Sequence, residues 1–282
     1  MRKRLFTFGC SYTQYHWPTW ADIIGQDFEY FENWGAAGAG NQYIFHSIVE
    51  CNIRNQFSAE DTIIVMWSSS DREDRYINNK WVLTGNIFFV DFYSKDFIKN
   101  YYDEKGSIVR DFSFITAIND LLKSTGATYK FSSMESLTVN APTDIIELHS
   151  SVLSSMLPSV NETLYRDIEH QIDRAKEKQK QWYDQQCEQA YNQLKGVDWP
   201  AWNQGSSGTN LPRRIKKDID TLYSRAKKNI KPALDLHPSP MEYLRYVSTV
   251  LPEFTVTTST IDWINKHKIN DTFNQHLPLN RL

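Results

Sequence analysis

The alternation of short apolar runs with helix-patterned segments constrains the fold of this chain more than any other feature. Three runs, at 4–9, 61–67 ("DTIIVMW") and 127–134, are rich in apolar β-branched and aromatic residues, which is typical of buried strands. Two segments between them, 41–57 and 107–126, repeat apolar residues at helical spacing. This rhythm predicts an α/β fold, in which parallel strands are joined by right-handed crossovers.

Further elements are predicted on either side of this pattern. A helix is expected within 17–28 and a short strand at 29–33. Late in the chain, Ser239 has the position of an N-cap and Pro240 that of the first helical residue. His237 is therefore expected in the loop just before a well-defined helix.

The rhythm breaks near Pro158, which divides the chain into predicted parts. The segment 159–231 is polar but carries two apolar stripes at helical spacing, which predict a helical hairpin. It would be inserted between the first part of the α/β core, 1–158, and its C-terminal part, 232–282. Its narrow apolar faces predict a lid or a contact with a second copy of the chain.

Composition excludes several classes of partner. The chain has 282 residues, 40% hydrophobic and 14% aromatic, so it can bury a large core. The net charge of −3 argues against binding to nucleic acid or anionic membranes. An odd number of unpatterned cysteines, with neither a signal peptide nor a membrane span, predicts a cytoplasmic protein. The histidines show no metal-ligand spacing, so no metal or cofactor is expected.

Three loops carry the residues of chemical interest. They contain Gly9–Thr13 after the first strand, a glycine-rich loop at 35–41 after the second, and Asp235–Pro238 before the late helix. Loops that follow parallel strands gather at the carboxyl edge of the sheet, where sites form. Ser11 and His237 are therefore expected to meet, although they lie far apart in the sequence.

These motifs, in this order, resemble the SGNH (GDSL-type) hydrolase superfamily. Its members carry Gly-Asp-Ser near the N-terminus, a glycine loop, a Gly-x-Asn-Asp segment and a late Asp-x-x-His. The resemblance covers 4–135 and 232–251 and is closest to divergent members encoded by tailed phages, which begin with Gly-Cys-Ser. It implies a three-layer, flavodoxin-like α/β/α fold and the hydrolysis of esters.

The resemblance also implies the catalytic residues. Ser11 matches the nucleophile and His237 matches the base. Asp235 matches the acid that orients the histidine, although it lies two residues before His237 rather than the usual three. Cys10 replaces the usual aspartate, and a rival interpretation makes its thiol the nucleophile.

The oxyanion donors are less clearly matched. Gly38 matches the glycine of the oxyanion loop, in competition with Gly35 and Gly40. The family places an asparagine after the third strand, but here "SSSDRED" fills that slot. Either Ser70 or Asn41 is expected to supply the missing side-chain donor. Loss of one such donor typically costs about 10²–10³ in rate, so reduced activity is predicted.

Two residues are predicted to bind substrate. Tyr12 follows the nucleophile directly, and Arg72 follows the third strand. Arg72 and Arg75 are expected to be solvated or paired with Glu73 and Asp74, or one of them binds an anionic substrate group.

The chemistry needs these residue types for physical reasons. A serine hydroxyl is a poor nucleophile until a base removes its proton, and histidine has a pKa near neutrality. The sequence therefore predicts a serine esterase that acts through an acyl-enzyme, on a small-molecule or carbohydrate ester such as an O-acyl sugar. An acyltransferase at the same site, and a non-catalytic binding or structural protein, are the alternatives.

Overall fold

A parallel sheet forms the centre of the structure, a computed structural model that describes residues 2–88, 92–164 and 237–267. The strands are β1 (Arg2–Phe8), β2 (Phe28–Asn33), β3 (Asp61–Trp67), β4 (Arg72–Ile77), β5 (Lys80–Asn86) and β6 (Thr128–Ser133). Four of them form one sheet in the order β2-β1-β3-β6, and every neighbouring pair is parallel. This is the order of the first four strands of a flavodoxin-like sheet, which confirms the predicted α/β fold.

Helices cover both faces of this sheet. They are α1 (Trp20–Gly25), α2 (Asn41–Asn55), α3 (Lys95–Tyr101), α4 (Glu104–Thr125), α5 (Thr143–Leu148), α6 (Ser150–Leu153), α7 (Val160–Thr163), α8 (Pro240–Val250) and α9 (Thr258–Lys266). On one face, Leu5 and Ile64 pack with α1, α8 and α9. On the other face, Phe6 and Val65 pack with α2 and α4. Successive strand residues thus enter opposite cores, as the period of two requires, and the three layers follow.

The helix ends match their sequence signals. Ser239 accepts a hydrogen bond from the Glu242 N–H and its own N–H donates to the Glu242 carboxylate, so the predicted capping box of α8 is confirmed. Helix α4 ends where Gly126 takes a φ of 74°, in the left-handed region that glycine tolerates.

A hairpin after β3 was not expected from the sequence. Strands β4 and β5 pair antiparallel, and the turn between them places Asn78 and Asn79 at φ values of 52° and 60°. Two consecutive left-handed residues are the signature of a tight hairpin turn, and asparagine is one of the few residues that adopts them readily. The polar strand sequence hid this element, but the Asn-Asn pair was a usable signal.

Part of the predicted organisation lies outside the described residues. Of the expected helical hairpin at 159–231, the structure describes only the residues up to Leu164, which include α7. Asp235 also lies outside the described part of the chain. The hairpin, its boundaries and its role remain predictions.

Candidate active site

The carboxyl ends of three parallel strands bring the predicted site segments to one edge of the sheet. Strand β1 pairs with β3, and β3 with β6, so the chain leaves all three at the same edge. Cys10 and Ser11 follow β1, Ser68 to Asp71 follow β3, and Met134 follows β6. The Met134 sulfur lies 3.9 Å from the Cys10 sulfur and 3.5 Å from the Ser68 hydroxyl.

Ser11 lies in a tight turn at the tip of β1. The carbonyl of Cys10 accepts hydrogen bonds from the N–H groups of Thr13 and Gln14, at 2.9 and 3.1 Å. A Cβ on Gly9 would lie 2.1 Å from the Thr13 hydroxyl, so the turn closes this tightly only with glycine there. Ser11 is 5% exposed. Its N–H and hydroxyl form no hydrogen bond with any residue in the described part of the chain.

The residues just after this turn contact His237. The Tyr15 ring stacks on the His237 ring, with centroids 4.0 Å apart and planes at 21°. The Tyr12 ring meets His237 edge-on, with centroids 5.5 Å apart. The indole N–H of Trp17 donates to the carbonyl of Pro238 at 2.9 Å. The structure therefore brings the Ser11 turn and His237 into one cluster.

The glycine-rich loop after β2 approaches the same turn. The Asn33 side chain donates to the carbonyl of Thr13 at 2.8 Å, and the N–H of Ala36 donates to the carbonyl of Gly9 at 3.0 Å. A Cβ on Gly35 would lie 2.9 Å from the Thr13 Cβ, so these two backbones pass closely only without it.

The N–H groups of this loop distinguish the three candidate glycines. The Gly35 N–H donates to Asn33, and the Gly40 N–H donates to Asp74. The Gly38 N–H, by contrast, makes no hydrogen bond with any described residue. Gly38 has a φ of +80°, and a Cβ there would lie 2.8 Å from the Leu83 carbonyl oxygen, so glycine is required. Among the three, only Gly38 has an N–H that no described residue accepts.

The side-chain amide of Asn41 uses its hydrogen-bonding groups within the protein. Its amide nitrogen donates to the Ser68 carbonyl at 3.0 Å and to the Asp111 carboxylate at 2.7 Å. Its amide oxygen accepts from the Ser68 N–H at 2.7 Å, and the residue is buried. Both amide hydrogens are used, so these contacts do not favour the predicted oxyanion role of Asn41. They show instead that Asn41 fastens the end of β3 to the start of α2.

A chain of charged side chains, buried at Asp111 and exposed at Arg75, continues from Asn41. Asp111 also accepts from the Arg110 guanidinium at 2.8 Å, and Arg110 pairs with Glu73 at 2.8 Å. Glu73 in turn pairs with Arg75 at 2.6 Å. Burial raises the pKa of Asp111, while its Arg110 and Asn41 partners act in the opposite direction. The network ties α2, α4 and β4 together beneath the site.

Asp74 caps the N-terminus of α2 from the hairpin. Its carboxylate accepts from the Gly40 N–H at 2.9 Å and from the Tyr43 N–H at 2.8 Å. The group is 1% exposed, and burial raises its pKa to about 6 against the lowering effect of these hydrogen bonds. No local pattern in the sequence indicates this role, because the two partners are 34 and 31 positions away.

Arg72 lies over the same edge of the sheet. Its guanidinium donates to the Ala39 carbonyl at 3.1 Å and lies 3.7 Å from the Met134 sulfur. Arg75 forms the expected pair with Glu73, but Arg72 has no ion pair with a carboxylate among the described residues.

Ser70 borders a cavity of about 220 Å³ beside this edge. The other lining residues are Ser69, Asp71, Glu104, Ile108, Glu135, Ser136, Leu137, Val139 and Asn140. Asp71 accepts from the Tyr102 hydroxyl at 2.6 Å, and burial together with this contact raises the pKa of Tyr102. The hydroxyl of Ser70 also interacts with Asp111, whose pKa it helps to lower.

The remaining predictions concern Cys10 and metals. Cys10 is fully buried and its thiol packs against the Met134 sulfur, which disfavours the rival interpretation of an accessible thiol nucleophile. Within residues 2–88, 92–164 and 237–267, the acidic, histidine and cysteine side chains form no cluster of three or more that suits a metal ion. In the same ranges, no helix is both long and apolar enough to cross a bilayer.

Comparison with known proteins finds a distant likeness among solved structures. No protein-family model matches the chain, and no curated protein matches it. Among solved structures, the chain is similar to a member of the lipolytic protein G-D-S-L family from Veillonella parvula DSM 2008. The TM-score is 0.37 and the sequence identity is 13%. The alignment covers 90% of this chain and 100% of the other chain.

Proposed function

We propose that this chain is a serine hydrolase of the SGNH (GDSL-type) superfamily that cleaves an ester through an acyl-enzyme on Ser11. The observation that carries the proposal is the cluster in which Tyr15 and Tyr12, just after Ser11, contact His237. The order of the motifs along the chain and the parallel sheet that gathers them support the same assignment.

The reaction follows the usual serine sequence. The Ser11 hydroxyl attacks the ester carbonyl while His237 takes its proton, and His237 then returns that proton to the leaving alcohol. Water, deprotonated by His237, hydrolyses the acyl-enzyme and restores Ser11. Asp235 is proposed to hold the imidazole in the correct tautomer, a role that the described residues do not test.

Two backbone N–H groups are proposed to stabilise the tetrahedral oxyanion. They belong to Ser11 and Gly38, and neither is used by another described residue. An N–H that is held in place but unbound meets a developing negative charge without first breaking another contact. Ser70 is kept as the proposed third donor, but its one hydroxyl hydrogen must first leave Asp111, while both amide hydrogens of Asn41 are engaged.

The proposal requires a local adjustment before reaction. The Ser11 hydroxyl forms no hydrogen bond with any described residue, His237 included. Contacts between a nucleophile and its base are often loose without substrate and tighten in the bound complex. The proposal therefore requires that substrate binding bring a ring nitrogen of His237 within hydrogen-bonding distance of the Ser11 hydroxyl.

The substrate is proposed to be a small-molecule or carbohydrate ester, with an O-acyl sugar as the favoured case. The cavity beside Ser70 offers the hydroxyls of Ser69, Ser70 and Ser136 together with carboxylates, and such groups hydrogen-bond to sugar hydroxyls. Tyr12 is proposed to line the acyl side, where its own hydroxyl bonds to Asn161 at 3.3 Å.

A non-catalytic protein with the same fold is the second candidate. The unbonded Ser11 hydroxyl and the committed amide of Asn41 favour it. The retained pair of Ser11 and His237 favours the enzyme.

Fluorophosphonate labelling of the full chain tests the proposal. We expect covalent labelling on Ser11, its loss in Ser11→Ala, and a strong reduction in His237→Ala. Ser124→Ala is the matched control, because Ser124 is an exposed serine on α4. Wild-type labelling that persists in Ser11→Ala, or no labelling at all, would overturn the assignment and favour the non-catalytic candidate.

Two finer points are also proposals. Adding alcohols to an assay of the active, unlabelled enzyme separates a hydrolase from an acyltransferase, because only a transferase yields new esters as the main product. A cytoplasmic location, a phage origin and self-association through 159–231 continue as predictions from the sequence.

A further inference from the structure

Arg72 places a cation at the edge of the sheet where the candidate site segments gather. The Met134 sulfur lies within 4 Å of the Arg72 guanidinium, the Cys10 sulfur and the Ser68 hydroxyl, so it links Arg72 to the tips of β1 and β3. The guanidinium also donates to the carbonyl of Ala39, the residue that follows the proposed oxyanion glycine.

The backbone of Arg72 is held firmly. Its carbonyl accepts from Arg110 at 3.3 Å, and its N–H donates to the carbonyl of Ser69 at 3.4 Å. Its Cβ lies so close to Gly40 that a Cβ on Gly40 would be 2.9 Å from it. The backbone from which the Arg72 side chain extends is therefore fixed before any ligand arrives.

Arg72 differs from the other arginines near the hairpin in lacking a carboxylate partner. Arg110 pairs with Glu73 and Asp111, and Arg75 pairs with Glu73. Arg72 has one carbonyl acceptor and a thioether among the described residues, which leaves most of its five N–H donors unused.

The surroundings give this unpaired charge little compensation. The nearby side chains of Cys10 and Met134 are weakly polar, and Arg72 is only partly exposed. The carboxyl group of Asp74 lies within electrostatic reach but is engaged by backbone N–H groups at the start of α2. A planar guanidinium in such a place favours a bidentate anion, which supplies both the charge and the acceptors.

We infer that Arg72 binds an anionic group of the substrate, a carboxylate or a phosphate, so that the preferred esters carry a negative charge near the scissile bond. This inference rests on the proposed ester hydrolase for its catalytic meaning. Anion binding itself does not require catalysis and is measured separately.

The kinetic test compares two esters that differ in charge: 4-nitrophenyl acetate and mono-4-nitrophenyl succinate. We expect the wild type to prefer the succinate ester in kcat/KM, and Arg72→Gln to reduce the succinate-to-acetate ratio roughly 10- to 100-fold, the usual effect of losing a charge-assisted contact. Arg75→Gln is the matched control on the same strand and should keep the wild-type ratio. Arg72→Lys should retain part of the preference for the succinate ester, since lysine keeps the positive charge but lacks the paired N–H groups of the guanidinium.

The binding test uses isothermal titration of the full chain with succinate and with inorganic phosphate. We expect one of them to bind the wild type and Arg75→Gln but not Arg72→Gln, and which one binds identifies the anion. An equal loss for both esters, without an anion bound through Arg72, would overturn the inference and make Arg72 an oxyanion donor. If anion binding depends on Arg72 but hydrolysis does not depend on Ser11, the proposed function fails and the anion site stands.

Discussion

Asp74 gives the sharpest test of how the hairpin supports the site. Its carboxyl group is buried against the start of α2, and burial raises its pKa from the ordinary 3.8 to about 6. The perturbation is Asp74→Asn, which keeps one side-chain oxygen for the backbone N–H groups but removes the titration.

The sign follows from proton linkage. A carboxyl group with a raised pKa binds its proton more tightly in the folded than in the unfolded state, so acid favours the fold. This contribution is complete below about pH 3.8 and is lost as the pH rises through 6. A shift of about two pKa units corresponds to about 3 kcal/mol. As the pH rises from about 3.5 to about 7.5, the free energy of unfolding of the variant should therefore increase by about 3 kcal/mol relative to that of the wild type.

Urea denaturation followed by tryptophan fluorescence measures this difference at several pH values. The loss of one hydrogen-bond acceptor in the variant costs about 1 kcal/mol at every pH. It therefore shifts the whole plot of the stability difference against pH without changing its slope. Asp111 also has a raised pKa, but it is present in both proteins, so its contribution to the pH dependence cancels in the difference. Asp262→Asn, an exposed change on α9, serves as the control. A difference that is independent of pH, or that favours the wild type as the pH rises, would refute the reasoning.

Three further substitutions test the site. Asn41→Ala should lower the free energy of unfolding by about 2–4 kcal/mol in urea denaturation, since it leaves Asp111 buried with fewer donors. Gly38→Ala should lower kcat with a cost of about 1–3 kcal/mol in stability, because alanine is strained at a φ of +80°. Trp17→Phe should remove the hydrogen bond to Pro238 and lower kcat with little change in KM, because it loosens the loop that carries His237.

Each of these has an outcome that contradicts it. Unchanged stability in Asn41→Ala would mean that the Asp111 network does not hold β3. Full activity in Gly38→Ala would exclude the close approach of an oxyanion to that N–H. A Trp17→Phe variant that loses only stability, with a wild-type kcat, would reduce Trp17 to a packing role.

The order of elements was determined locally. The apolar run of β3 and the helical spacing of α4 are read directly from neighbouring residues, and the structure has both where they were predicted. The capping box at Ser239 likewise depends on residues three positions apart. Such patterns are visible in one sequence, because the burial that produces them repeats with the period of the element.

The partners of the polar residues were not visible in this way. Asn41 was considered as an oxyanion donor, but the fold places it between Ser68 and Asp111, which are 27 and 70 positions away. Arg72 and Asp74 lie in a stretch of charged residues that is typical of a solvated surface. In the structure, Asp74 caps helix α2, and Arg72 has no carboxylate partner among the described residues. The residues adjacent to Asn41, Arg72 and Asp74 in the sequence do not indicate which partners these side chains bind.

The sequence by itself therefore determined the four parallel strands, the long helices between them and the edge at which the loops gather, but not the β4–β5 hairpin. Only the tertiary structure decided that the Gly38 N–H is unused by described residues, that the Asn41 amide is engaged and that Arg72 contacts Met134. The reason is physical: periodicity records which face of an element is buried, whereas a hydrogen bond or ion pair between distant segments depends on a few ångströms set by packing of the whole core.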